Sequence, residues 1–360
     1  VGIGLCMAAV AAGLVLFGCT PQAATPESTE TDATVDVSTQ MVTGTINSGP
    51  VSVQDVSGNT FTMDKPASKV LATHSPTFNA IVVVGGGDKY VCGCGYKEGA
   101  SGLYEEVFTD WSSVVSVGSG KSTNFEMVAS LNPDVVVLAE RQASSAADYG
   151  NIGLKTFVAL PKNESFEGIT ASLTRIGALF GEQERVGKID DEFNAIIKDA
   201  TDTCASAPSK PSVMFMGNDL YEAATSSMIQ TDIITAAGGT NAVQGDYPAG
   251  EFATIDAETV VKFNPDVIWV PNYAHYSVSD VLNDPALADV SAVKSGKVYM
   301  FPSNLEPWDY PTATACLGVS WGAYNLHPDL YTMDHLMKTT DTFYGMVYGK
   351  QFTAEQMGIG

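Results

Sequence analysis

Positive charge is what this sequence has least of. Its 18 Lys and Arg stand against 41 Asp and Glu, for a formal net charge of −23. Such a surface repels phosphate backbones, which excludes nucleic acid as a partner. Arginine occurs only as Arg141, Arg175 and Arg185, so any one of them placed in a loop is informative. Histidine is nearly as scarce, at 4 residues. Of the 6 cysteines, Cys92 and Cys94 lie too close together for the usual zinc pairs. Setting Cys6 and Cys19 aside, the connectivity of Cys92, Cys94, Cys204 and Cys316 stays open. The chain also has no Gly-x-Ser-x-Gly elbow, no His-Glu-x-x-His and no phosphate loop. Gly85-Gly86-Gly87 lacks the Gly-Lys-Ser/Thr tail and reads as a helix terminator. No enzyme is expected, although fold alone would not exclude an α/β hydrolase.

What is present is a folded chain. Across 360 residues, 45% are hydrophobic and 16% charged, enough for one large core or two ordinary ones. Residues Leu5 to Phe17 form an apolar run too short to span a bilayer. It ends in Leu16-Phe17-Gly18-Cys19, which resembles the lipobox of bacterial lipoproteins, with Cys19 as the lipidated residue. Residues 1–18 are then a signal peptide. The Thr/Ser/Glu/Pro-rich stretch 19–48 reads as a disordered tether to the membrane.

One unit occurs twice. Phe125 to Val137 returns as Ala257 to Trp269, aligning Glu126 with Glu258, Asn132 with Asn264, Pro133 with Pro265 and Asp134 with Asp266. Each copy reads as a short helix, an Asn-Pro-Asp turn and a strand covered on both faces. The repetition predicts an α/β fold of two lobes, one at 49–181 and the other at 207–330. Between them the helical pattern at 182–206 predicts a strut about 33 Å long at 1.5 Å per residue. Residues 331–360 read as a C-terminal helical segment.

In open α/β sheets ligands bind beyond the carboxyl ends of the strands. That rule selects loops. In the first lobe they hold His74, Ser75, Tyr96, Lys97, Glu140 and Arg141. In the second they hold Asn218, Tyr221, Met228, Asn272, Tyr273, His275, Trp308 and Tyr310. Arg141 offers paired donors to a carboxylate-bearing chelate, or else an ion pair to Glu140 or Asp148. Tyr273, Tyr310 and Trp308 offer flat surface to a planar ligand, with packing under the last large helix as the alternative for Trp308. His74 and His275, one per lobe, would have to meet to ligate a metal, and either alone suits an axial haem position; otherwise they are ordinary loop residues.

With both lobes, the strut and the lipobox in view, the chain resembles the ABC-importer solute-binding proteins that deliver ferric siderophores, haem and corrinoids. The pieces that carry the resemblance are the paired Glu-x-x-x-x-x-Asn-Pro-Asp units, Gly296-Lys297-Val298-Tyr299, Trp308-Asp309-x-Pro311 and the tail from Thr342 to Gly349. It implies two α/β lobes bridged by one rigid helix, a ligand cleft between them and only slight closure on binding. It also implies that Glu126 and Glu258 dock onto arginines of a permease served by an ATPase; an N-terminal helix carboxylate facing the helix dipole is the plainer role. The implied protein is an extracytoplasmic, lipid-anchored monomer with no permanent cofactor. Its transported ligand is an iron chelate, ferric siderophore first, then haem, a corrinoid or a molybdate-type oxyanion. Relatives that bind bare zinc or manganese use fuller His/Asp/Glu sets than this chain has.

Overall fold

Two parallel sheets with one shared strand order organise the chain. The computed structural model describes residues 40–97 and 102–359. The expected signal peptide, Cys19 and most of the expected tether lie outside the described residues. Among the described residues no helix is long and apolar enough to cross a membrane.

The chain enters through a hairpin of β1 (Val51–Gln54) and β2 (Thr60–Met63), with Val51 opposite Met63. Its turn is closed by Asp55 Oδ1, which accepts from the backbone amides of Ser57 and Asn59. Gly58 supplies the left-handed residue there, at φ 82°.

The first lobe contains β3 (Val70–Ala72), α1 (Ser75–Gly85), β4 (Val91–Cys94), α2 (Leu103–Val107), α3 (Phe125–Leu131), β5 (Val135–Ala139), α4 (Ala146–Asn151) and β6 (Thr156–Leu160). Helix α5 (Phe166–Phe180) leads into α6 (Gln183–Cys204). The second lobe contains β7 (Ser212–Phe215), β8 (Glu222–Ala223), α7 (Ile229–Ala236), β9 (Thr240–Asn241), β10 (Ala253–Thr254), α8 (Ala257–Phe263) and β11 (Val267–Pro271). It continues through α9 (Val278–Asn283), α10 (Ser291–Lys294), β12 (Val298–Phe301) and α11 (Ala315–Leu326), and α12 (Met333–Tyr348) and α13 (Ala354–Met357) close the chain.

The sheets run β4-β3-β5-β6 and β12-β11-β7-β9, all parallel. Numbered within each four-stranded sheet, both read second, first, third, fourth. The duplicated unit supplies the third strand each time, and β5 and β11 are buried throughout.

The Asn-Pro-Asp turns act as scaffold in matching ways. Asn132 and Asn264 cap α3 and α8 in the left-handed conformation, at φ 46° and 45°. Asp134 Oδ2 accepts from the Ser68 amide at 2.8 Å, the Ser68 hydroxyl and the Lys69 amide. Asp266 Oδ2 accepts from the Ser212 amide and hydroxyl, both at 2.8 Å. Each Asp thereby ties the third strand to the start of the first.

Helix α5 stops at Gly181, where φ is 75° and a Cβ would fall 2.2 Å from the Asn47 carbonyl oxygen. That contact belongs to a segment expected to be tether. Residues 41–47 are instead held against the body. Val42 and Asn47 amides donate to Met346 and Gly181 carbonyls, and Arg185 and Lys188 donate to the carbonyls of Val42 and Thr43. Arg185 is buried and also donates to Val83, Val84 and Val347 carbonyls, closing the C-terminal ends of α1 and α12. Composition alone hides this, because the bonds use the segment's backbone rather than its side chains.

Candidate functional site

In each sheet the strand order reverses direction between the first and third strands, and their carboxyl ends open onto loops at that point. In the first lobe these are the loops after β3 and β5, and in the second those after β7 and β11. A cavity of about 380 Å³, lined from both lobes, takes one loop from each pair, those after β3 and β11, together with those after the neighbouring strands β4 and β12. Its volume is toward the lower end of small-molecule sites. The first lobe contributes the β3–α1 turn with His74 and Ser75, the side chains of Phe78, Asn79 and Tyr104, and Tyr96 after β4. The second contributes Asn272 and Tyr273 after β11 and the loop after β12, from Ser303 through Tyr310 to Thr312.

Of the residues the sequence marked, the cavity brings together His74, Ser75, Tyr96, Asn272, Tyr273 and Tyr310. His74 is the N-cap of α1 by backbone geometry alone, and its Nδ1 lies 3.2 Å from the Thr77 hydroxyl. Burial, followed by the Arg141 charge, lowers its imidazole to about 4. It is therefore neutral at pH 7. Tyr96 is 58% exposed at the mouth, its hydroxyl 2.5 Å from Ser122 Oγ. Tyr273 and Tyr310 form a tilted ring pair with centroids 5.2 Å apart.

The remaining marked residues are placed elsewhere. Trp308 is fully buried and its indole N–H donates to the Tyr344 hydroxyl at 2.9 Å, so it packs under α12 and offers no face to a ligand. His275 is 73% exposed and paired with Asp219 at 2.8 Å, so it does not share a cavity with His74. Lys97 donates to the Ser112 carbonyl and sits over the Trp111 ring rather than lining the cavity. Arg141 pairs with Glu164 at 3.0 Å, not with Glu140 or Asp148, and does not line the cavity. Tyr221 is turned toward the second lobe's own core, with its hydroxyl on Asp284. Met228 is buried as the N-cap of α7. Asn218 uses its backbone carbonyl to hold the His275 amide. Packing claimed these side chains because loop position alone does not say which way a side chain turns.

Loop-based reading missed a buried polar group that the cavity wall does contain. Asn79, inside α1, donates from Nδ2 to Glu306 Oε2 across the lobes. Asn79 Oδ1 and Glu306 Oε1 have no hydrogen-bond partner. Burial pushes the Glu306 carboxyl up to about 8, against hydrogen bonds from Asn79 and Thr314. Behind Tyr273, buried Asp309 accepts from the Tyr273 hydroxyl at 2.5 Å and from Gln230 Nε2 at 3.1 Å. Burial raises Asp309 to about 6. The signal for both was Glu306-Pro307-Trp308-Asp309, two acids in an otherwise apolar stretch before α11.

The cavity lies at the carboxyl ends of strands in two repeated lobes, and the periplasmic binding protein family matches residues 70–305, a span that holds its lining apart from Glu306, Pro307, Tyr310 and Thr312. The chain belongs to the periplasmic binding protein family. Its fold is shared with a periplasmic solute binding protein from Veillonella parvula, at TM-score 0.72 and 22% identity over 86% of this chain and 95% of that one. The molybdate-bound MolA structure from Haemophilus influenzae superposes at TM-score 0.73 and 20% identity, covering 84% and 99%. In sequence, the molybdate-binding protein MolA from Haemophilus influenzae is 33% identical over 98 residues, 27% of this chain and 28% of that protein. The petrobactin-binding protein YclQ from Bacillus subtilis is 24% identical over 195 residues, 52% of this chain and 61% of that protein. The matches thus span less than two thirds of these curated relatives.

For a member of this family, the cavity is a hydrogen-bonding and aromatic box. Among the described residues no group of three or more His, Cys, Asp or Glu is arranged to hold a metal ion. Cys92, Cys94, Cys204 and Cys316 are free thiols. Burial pushes the Cys94 thiol, in the cavity wall, up to about 11.

Proposed function

We propose that this chain is the solute-binding component of an ABC importer, capturing a metal chelate outside the cytoplasm and delivering it to a permease with its ATPase. A ferric siderophore is the leading ligand. The observation that carries this reading is the cavity at the carboxyl ends of the strands, walled by both lobes and by aromatic rings. Relatives named for petrobactin, ferric citrate, cobalamin, haem and molybdate support the same ligand range. Binding proceeds without turnover, and no permanent cofactor is required. Titration of the purified chain with ferric chelates, followed by intrinsic fluorescence, is expected to show saturable one-to-one binding at micromolar concentration or below. A preparation that ignores every chelate but carries a Soret or corrin band would replace the siderophore with haem or a corrinoid. Tyr273, Tyr310, Tyr104 and Phe78 favour that second reading, because they supply flat apolar area.

Delivery rests on two further elements. Glu126 and Glu258 are both exposed, at equivalent places in the first turns of α3 and α8, and are assigned to permease docking. The lipobox resemblance at Cys19 supports a lipid anchor, and Cys19→Ser is expected to move the protein from the membrane fraction to the soluble one. The working unit is a monomer.

A further inference from the structure

The cavity wall contains no Lys or Arg among its described residues. Its ionisable groups are four tyrosines, Cys94, His74 and Glu306. His74 is neutral at pH 7 because burial and the neighbouring Arg141 depress its imidazole. Burial raises Tyr104, Tyr273 and Tyr310 and the Cys94 thiol. The nearby cations are already engaged. Arg141 is paired with Glu164, and Lys97 is bound to the Ser112 carbonyl.

Glu306 stands out within this wall. Its side chain is 4% exposed and reaches across from the second lobe to Asn79 of the first. The titratable groups facing it are Tyr104 from α2, Tyr344 and Tyr348 from α12, and Cys316 from α11. All four are pushed up by burial and uncharged, and no cation offsets the Glu306 carboxyl. One Glu306 oxygen and one Asn79 oxygen remain without protein partners. A buried polar group in that state requires a partner or a reason.

We propose that the cavity selects ligands whose buried face carries no net negative charge, and that Glu306, buried in its wall with no cation beside it, sharpens the selection as pH rises. This deepens the chelate-binding reading and rests on it. An anion entering the site would lose its hydration and find no positive partner, which is costly. Asp309, buried behind Tyr273, adds an acid just outside the wall, while the Arg141 charge that acts on His74 is offset by its pairing with Glu164. A neutral ligand meets only hydrogen-bonding groups and rings. In chelate chemistry the distinction is sharp. Ferric ion bound by three hydroxamates has no net charge, whereas ferric ion bound by three catecholates is a trianion. Above about pH 8 the Glu306 carboxyl loses its proton, and its hydrogen-bond donor becomes a negative charge in the wall.

The test uses the full chain and two probes, the ferric complex of a linear trihydroxamate and that of a tricatecholate, titrated at pH 7 by fluorescence quenching. The neutral complex is expected to bind at least tenfold tighter, and the tricatecholate complex to lose affinity severalfold between pH 7 and pH 9. Glu306→Gln is expected to keep the neutral complex within about threefold at pH 7 and to abolish the alkaline loss. A trianion bound as tightly as the neutral complex overturns the selection while leaving chelate binding intact. Binding of neither probe overturns the chelate reading and this inference with it. An alkaline loss that is missing from the wild type, or unchanged in the variant, removes Glu306 from the selection. The wild-type comparisons stand even if the variant folds poorly.

Discussion

Glu306 and Asp309 are two acids separated by a proline and a tryptophan, and the fold treats all three side chains around that proline as interior. A carboxyl buried without a cation holds its proton to higher pH than it would unfolded. For Glu306 the shift is from 4.5 to about 8, and for Asp309 from 3.8 to about 6. Both shifts are upward, so their contribution to stability is complete below the unfolded values and is lost as pH rises. The window for Glu306 runs from about pH 4.5 to pH 8, and for Asp309 it ends near pH 6. The Glu306 share has an upper bound of roughly 5 kcal/mol at 1.36 kcal/mol per pH unit. Glu306→Gln is therefore expected to flatten the fall of melting temperature between pH 5 and pH 8. Parallel curves for wild type and variant would show that the carboxyl is not the group being titrated. At this scale the sequence was least readable. Trp308 and Tyr310 stand two residues apart, yet one is sealed beneath α12 and the other faces the cavity. Nothing local distinguishes them. The difference is the Tyr344 hydroxyl, 36 residues from Trp308 along the chain.

At the scale of elements, the duplicated helix–turn–strand was the most legible part of the chain. Proline after a left-handed Asn stops the helix, and an unbroken β-branched run makes a strand covered on both faces. What the pattern did not reveal was the job of each Asp. Asp134 and Asp266 reach Ser68 and Ser212, the residues that lead into the neighbouring strands. Both carboxylates are partly solvated, so Asp134→Ala and Asp266→Ala are each expected to cost about 1–2 kcal/mol in urea unfolding. The two sites share no partner, and the double variant is expected to lose the sum. A strongly non-additive double variant would mean the lobes are coupled through these turns. Helix α1 begins ahead of its apolar run, with Ser75 and Pro76 in its first turn. Proline suits that turn because the missing N–H would be unpaired there anyway.

For the whole molecule, α6 is not the sole bridge between the lobes. Helix α12 packs on α6 and α1, and Arg185 ties the ends of α1 and α12 to the 41–47 segment. The loop after β12 crosses as well, with the Leu305 carbonyl accepting from the Leu103 amide at 2.9 Å. Such multiple ties favour modest closure around a ligand. They also hold Glu126 and Glu258 in a fixed relation on the two lobes, which a two-point docking surface needs. Glu126→Lys combined with Glu258→Lys is expected to abolish transport in a reconstituted importer while leaving ligand affinity unchanged, since neither residue lines the cavity. Undiminished transport would end the docking assignment.

Taken alone, the sequence determined the repeated α/β lobes and the long helix between them. These follow from periodicity and turn chemistry, which act over a few residues. Tertiary structure decided which loop side chains reach the cavity, that residues 41–47 are docked on the body, and that the wall is almost free of charge. Each depends on partners distant in sequence. The scarcity of positive charge that marks the whole chain returns at the cavity, where packing has engaged Arg141 and Lys97 elsewhere and left a buried carboxyl in the wall.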